Sequence, residues 1–133
     1  MTLDVLSVDD DKLVLFIHQR IMKHSQFSTF PKAFEDGYDA INYIAKEKSH
    51  SLKFLIFLDL KMPSLDGWGI LEELERQRLD EFCYVFVLTS SIDYRDEERV
   101  KKHTCVLGFL EKPLSIDKLL DLKLTKELSA FFD

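Results

Sequence analysis

The run Phe54-Leu55-Ile56-Phe57-Leu58 is apolar without alternation and stops at Asp59. A half-buried strand alternates polar and apolar residues, so an unbroken run of this length marks a strand covered on both faces. Strands of that kind belong to parallel sheets sandwiched between helices. Tyr84 to Leu88 repeats the pattern and ends at Thr89-Ser90-Ser91. Leu3 to Val8 is apolar up to Asp9-Asp10-Asp11, and Val106 to Leu110 gives out at Glu111-Lys112-Pro113. Gln26 to Phe30 reads as a weaker strand ended by Pro31, which lacks an amide for the ladder.

Helical periodicity fills the intervals. Leu13, Phe16, Ile17, Ile21 and Met22 recur at helical spacing, so Lys12 to Lys23 is expected to be a helix. Asp36-Gly37 reads as a turn, followed by a helix with Ala40, Ile41 and Ile44 on one face and an end near Lys48. Ile70, Leu71 and Leu74 define a third helix after a loop containing Pro63 and Gly67. Asp93 to Lys102 is strongly charged and reads as a more exposed helix. Ser115 caps a final helix carrying Ile116, Leu119, Leu120 and Leu124. Alternating strands and helices imply an α/β fold, a parallel sheet with helices on both faces.

At 133 residues, the chain fits one domain spanning 1–133, with a core over about 3–124 and a tail over 125–133. The formal charge of −6 argues against nucleic acid, because a phosphate-binding surface needs a basic stripe. Lys101 and Lys102 lie among acids, as on a solvated helix face. No secretory or membrane-spanning segment stands out, so a cytoplasmic location is expected. Cys83 and Cys105 lack metal-ligand spacing and read as reduced thiols. His18, His24, His50 and His103 are scattered, and each reads as a surface residue.

Ligands of parallel α/β sheets bind beyond the carboxyl ends of the strands. Asp9 and Asp10, Asp59, Thr89 and Lys112 each stand where an expected strand ends, so four strands deliver them to one sheet edge. Three carboxylates together need a cation, and all-oxygen ligation suits a hard ion such as Mg²⁺ or Mn²⁺. A carboxylate is a nucleophile toward phosphoryl groups, a reaction that depends on positioning and charge neutralisation. Lys112 offers a point charge and Thr89 a hydroxyl. Taken singly, each also has a structural role open to it. Asp9 to Asp11 can cap a helix, Asp59 form a turn, Thr89 to Ser91 cap a helix, and Lys112-Pro113 end a strand.

Val8-Asp9-Asp10, the stretch Leu58-Asp59-Leu60-Lys61-Met62-Pro63-Ser64-Leu65-Asp66-Gly67, Leu88-Thr89 and Lys112-Pro113 together carry a family resemblance. In that order, they make the chain similar to the receiver domains of bacterial two-component response regulators, from Leu3 to about Leu124. The resemblance implies a flavodoxin-like (βα)5 fold with strand order 2-1-3-4-5. It implies that Asp59 is the phosphoacceptor and that Asp10 ligates the metal directly. Asp9 would ligate mostly through water, and the backbone carbonyl of Lys61 would complete the protein ligands. Thr89 would hydrogen-bond the phosphoryl group, Lys112 would pair with it, and a cis peptide would precede Pro113. Phe109 falls at the family's switch aromatic. Lacking a hydroxyl, it either reports by packing or is an ordinary core residue. Lys61 and Ser91 occupy positions that tune phosphoryl lifetime, and Lys61 either leans over the pocket or is a solvated loop lysine.

The expected function is thus two-component signalling by acceptance of a phosphoryl group from a sensor histidine kinase or phosphotransfer protein, a switch rather than an enzyme. Only Thr125 to Asp133 follows the last helix, so output is expected through a separate downstream protein at the face built from the fourth helix, last strand and last helix. Phe131-Phe132 joins such a contact, joins a homodimer, or packs back on the domain. A haloacid-dehalogenase-type phosphatase would want a second acid two residues after its nucleophile, where Asp59-Leu60-Lys61 has a lysine. A flavodoxin-type phosphate loop is incompatible with Asp9-Asp10-Asp11, which would repel a phosphate. The remaining alternative is a receiver-like docking module that is never phosphorylated.

Overall fold

The computed structural model describes residues 1–132. Five strands form one parallel sheet: β1 (Thr2–Val8), β2 (Lys32–Phe34), β3 (Leu52–Asp59), β4 (Cys83–Thr89) and β5 (Val106–Glu111). Their order is β2-β1-β3-β4-β5, as the resemblance implied. The helices are α1 (Lys12–His24), α2 (Gly37–Glu47), α3 (Gly67–Arg76), α4 (Tyr94–Val100) and α5 (Ile116–Lys123). Short 3-10 turns lie at Asp80–Phe82 and Ser129–Phe132.

Each helix begins on a side chain that accepts its otherwise orphaned amides. Asp11, Asp36, Asp66, Asp93 and Ser115 serve α1 to α5 in turn. Asp36 therefore starts a helix directly rather than marking a separate turn.

β3 is buried from Phe54 to Asp59, as its unbroken apolar run required. Alternate residues of the strands feed two cores. Leu6, Val8, Phe54, Ile56, Leu58, Val85 and Val87 pack beneath α2, α3 and α4, against Ile41, Ile44, Ile70, Leu71, Leu74 and Val100. Val5, Leu55, Phe57, Phe86 and Leu88 pack beneath α1 and α5, against Met22, Leu119 and Leu122.

The second strand lies elsewhere than the sequence suggested. Gln26 to Phe30 is not a strand, and β2 follows Pro31. The reason is the end of α1: Gln26 takes a positive φ of 59°, and the amides of Phe27 and Ser28 bond back to the carbonyl of Met22. That wraps the segment around the helix terminus and sends Phe27 into the core. β2 is left with three residues, paired to Leu6, Ser7 and Val8, so Thr2 to Val5 have no neighbour on that side.

Two helices turn a different face inward from the one their leucines suggest. In α1 the buried residues are Leu15, His18 and Met22, while Leu13, Phe16 and Ile17 are exposed. In α5 Leu119 and Leu122 are buried, while Leu120 and Leu124 are exposed. At the chain's end Phe132 packs back, its ring 4.9 Å from that of Phe27.

Candidate functional site

β1, β3 and β4 end side by side, and the residues that finish them meet. Asp9 follows β1 directly and is 2% exposed; Asp59 is the last residue of β3 and 5% exposed. Asp11 accepts the amides of Leu13 and Val14, so capping of α1 falls to the third aspartate. Asp9 and Asp10 are left for other work. One oxygen each from Asp9, Asp10 and Asp59 lies within 4.8 Å of the other two.

Lys112 reaches this cluster from the end of β5. Its Nζ stands 2.9 Å from Asp9 Oδ2 and 3.4 Å from Asp59 Oδ1. The Lys112–Pro113 peptide is cis, as the resemblance implied. The Lys112 amide donates to the Thr89 carbonyl at 2.6 Å, tying the two strand ends together. Thr89 is buried at the end of β4, where its hydroxyl donates to the Ser91 carbonyl at 2.9 Å.

Burial pushes the Asp59 carboxyl above its ordinary value, and the neighbouring charge of Asp9 adds to this. Lys112 and the Lys61 amide (3.3 Å from Asp59 Oδ1) oppose the shift without cancelling it. Burial works against the Lys112 ammonium, but its hydrogen bond to Asp9 and the charges of Asp9 and Asp59 together raise it. The pocket therefore holds three carboxylates against one ammonium, with negative charge uncompensated. An all-oxygen set under such repulsion fits a hard divalent cation, which Asp9, Asp10 and Asp59 would hold.

Close packing keeps the Asp59 loop narrow. The Gly67 amide donates to the Leu60 carbonyl at 3.0 Å, and a Cβ on Gly67 would come within 2.7 Å of the Asp59 carbonyl. Only glycine lets α3 start this close to the acid.

Phe109 is half-buried against the α2/α3 core and, with Ile92, Pro113 and Lys118, lines a cavity of about 330 Å³. Lys61 is exposed, and Ser91 is exposed beside Thr89.

The histidines correct the sequence reading. His24 and His50 are exposed, but His18 is 1% exposed and His103 is partly buried, its Nδ1 2.8 Å from Glu75. His18 lies behind the acid pocket, where its Nε2 accepts the Leu114 amide at 3.4 Å. Burial lowers it to about 4, with Asp9 opposing and Lys112 assisting. The available signal was spacing: His18 falls three residues after Leu15 and four before Met22, on one helical face.

A five-stranded parallel sheet of this order, with acids, a hydroxyl and a lysine gathered at its strand ends, defines a receiver-type fold. The chain belongs to the response regulator receiver domain family, whose pattern matches residues 5–123. It is a receiver domain of two-component signalling systems. It is 30% identical over 125 residues to the probable methanogenesis regulatory protein FilR2 of Methanothrix harundinacea, covering 92% of this chain and 78% of that protein. It is 27% identical to sporulation initiation phosphotransferase F of Bacillus subtilis, covering 88% and 87% of the two chains. Among solved structures, a two-component response regulator from Cytophaga hutchinsonii superposes with a TM-score of 0.78 at 26% identity, covering 91% and 93%. No helix among the described residues is long and apolar enough to cross a membrane.

Proposed function

We propose that Asp59 accepts a phosphoryl group and that the resulting acyl phosphate switches the surface around α4, β5 and α5 for a separate protein. The observation that carries this reading is the buried Asp59 carboxylate facing Asp9 on one side and Lys112, 3.4 Å away, on the other. A carboxylate oxygen of Asp59 would attack the phosphorus of a phosphohistidine on a sensor kinase or phosphotransfer protein. The phosphorus–nitrogen bond breaks, and the departing imidazole keeps the electron pair and takes up a proton. Mg²⁺, held by Asp9, Asp10, Asp59 and the Lys61 carbonyl, would supply charge neutralisation for the phosphoryl oxygens. Lys112 would shift from Asp9 toward the new anion. Thr89 would release the Ser91 carbonyl and donate its hydroxyl to a phosphoryl oxygen.

That movement of Thr89 has a route outward. Thr89 pairs with Glu111 and Val87 with Phe109, so β4 and β5 share one ladder beneath the cavity that Phe109 lines. Phe109 would change its packing there, since it has no hydroxyl to exchange. The exposed Leu13, Phe16 and Ile17 of α1, beginning beside Asp10, offer the donor protein an apolar landing next to the pocket. The protein would act on no other substrate: it carries the phosphoryl group and loses it to water.

Incubation with acetyl phosphate and Mg²⁺, followed by intact-mass measurement, tests the reading. One added phosphoryl group is expected in the parent and none in Asp59→Asn. Persistence of the modification in that variant would assign it to another residue. A parent that gains nothing under these conditions is a docking module instead.

A further inference from the structure

We propose that His18 is a positioning residue for phosphoryl transfer, fixing the loop that carries Lys112 by accepting the Leu114 amide; this rests on the reading of Asp59 as phosphoacceptor. His18 sits in the middle of α1 between the apolar Leu15 and Met22, all three buried. A buried imidazole in such company is costly unless its polar atoms are used. Its Nε2 meets the Leu114 amide at 3.4 Å, a long hydrogen bond that joins residues 96 positions apart in the sequence.

The placement of that bond gives it consequence. Lys112 gives its own amide to Thr89, and Pro113 has none to give. Leu114 therefore carries the first amide after Lys112, and it is held from the opposite side, by α1. Leu114 is 4% exposed, so water is a poor substitute for the imidazole. α1 itself starts from Asp11, immediately after the acids of the pocket. One side chain thus ties the helix behind Asp9 and Asp10 to the loop behind Lys112. With both ends of the loop fixed, the Lys112 ammonium is held 2.9 Å from Asp9 and 3.4 Å from Asp59.

The role requires a neutral ring, whose unprotonated nitrogen accepts while the other carries the hydrogen. Burial keeps it so at neutral pH.

The test compares His18→Leu, which fills the space without an acceptor, with His18→Gln, whose side-chain carbonyl can still accept. Three measurements on the full chain are made: hydrogen exchange of the Leu114 amide, the ¹⁵N signal of the Lys112 ammonium, and phosphorylation by acetyl phosphate with Mg²⁺. In His18→Leu, the Leu114 amide is expected to exchange at least about tenfold faster, because the local opening no longer breaks a bond. The Lys112 signal is expected to broaden, and phosphorylation to slow about tenfold, the scale set by sub-ångström misplacement of a charged group. His18→Gln is expected to stay within about twofold of the parent in all three. A His18→Leu protein that phosphorylates at the parental rate, or keeps its Leu114 amide protected, overturns the proposal. So does a folded His18→Gln that is as slow as His18→Leu, which keeps the question answerable if the leucine variant fails to fold. If the parent accepts no phosphoryl group, the reading of Asp59 fails, and the Leu114 and Lys112 measurements still decide whether His18 holds the loop.

Discussion

The two faces of the sheet are built from different materials. Beneath α2, α3 and α4, the interior is hydrocarbon with two thiols, Cys83 and Cys105, both unpaired and raised by burial. The polar cluster on that side, Asp4 with the Tyr43 hydroxyl at 2.5 Å and Lys32 at 2.9 Å, lies toward the rim. Beneath α1 and α5, His18 and the hydroxyl of Ser7, which has no hydrogen-bond partner among the described residues, are sunk among leucines and phenylalanines. The first face rests on apolar packing, and burial keeps its thiols neutral at pH 5 to 7. The second accepts polar groups in its core, and these lie behind the strand ends where Asp9, Asp59 and Lys112 meet. The sheet thus divides a largely hydrocarbon interior from one that admits buried polar groups.

Leu74→Ala strikes the hydrocarbon face, where Leu74 is fully buried, and is expected to cost about 3 kcal/mol in urea unfolding. The loss should be the same at pH 5 and pH 7; a pH-dependent loss would break the division. The polar face makes the opposite prediction. His18 is lowered from 6.5 to about 4, so between those values the unfolded chain binds a proton that the native state refuses. Stability contributed at this site therefore falls as pH drops through that window, by as much as about 3 kcal/mol at pH 4. The difference in unfolding free energy between parent and His18→Gln, followed from pH 7 to 4, isolates this component. Equal slopes for the two proteins would contradict it.

Asp59→Asn is expected to stabilise the protein at pH 7, read as a higher melting temperature, because it removes a carboxylate that burial and Asp9 disfavour. With the folded value raised, that penalty fades as pH falls through it, so the gain in melting temperature should shrink in acid. Mg²⁺ should narrow the gap at pH 7 by stabilising the parent more. The smallest effect concerns α4, which buries Val100 alone. Its Arg99 guanidinium lies 4.1 Å from the centre of the Trp68 ring on α3. Arg99→Ala is expected to cost about 0.5–1 kcal/mol and to shift the emission of Trp68, the single tryptophan. An unchanged spectrum would mean that α4 is held by other contacts.

The sheet and the pocket were legible because both depend on where apolar runs stop. Asp59, Thr89 and Lys112 stand at strand ends in the sequence and in space alike. What was not legible depended on how helices end and which side they turn inward. No run of residues announced that Gln26 would adopt a positive φ and carry Phe27 into the core, displacing β2 beyond Pro31. In α1, the wholly apolar stripe of Leu13, Phe16 and Ile17 reads more strongly in sequence than that of Leu15, His18 and Met22, which a histidine interrupts. Yet the interrupted stripe is the buried one, and the wholly apolar one faces outward. His18 was overlooked for that reason.

The brevity of β2 also bears on how the protein behaves in crowded solution. An exposed sheet edge is a template on which a second chain can lengthen the ladder, the first step toward fibrous aggregates. At this edge, an incoming strand finds three residues, preceded by a proline that offers no hydrogen and opened by a lysine whose ammonium is engaged with Asp4. The loop at the end of α1 stands beyond it, bordering the unpaired stretch of β1. The same local geometry that shortened the strand leaves β2 itself with only three residues for a neighbour to copy.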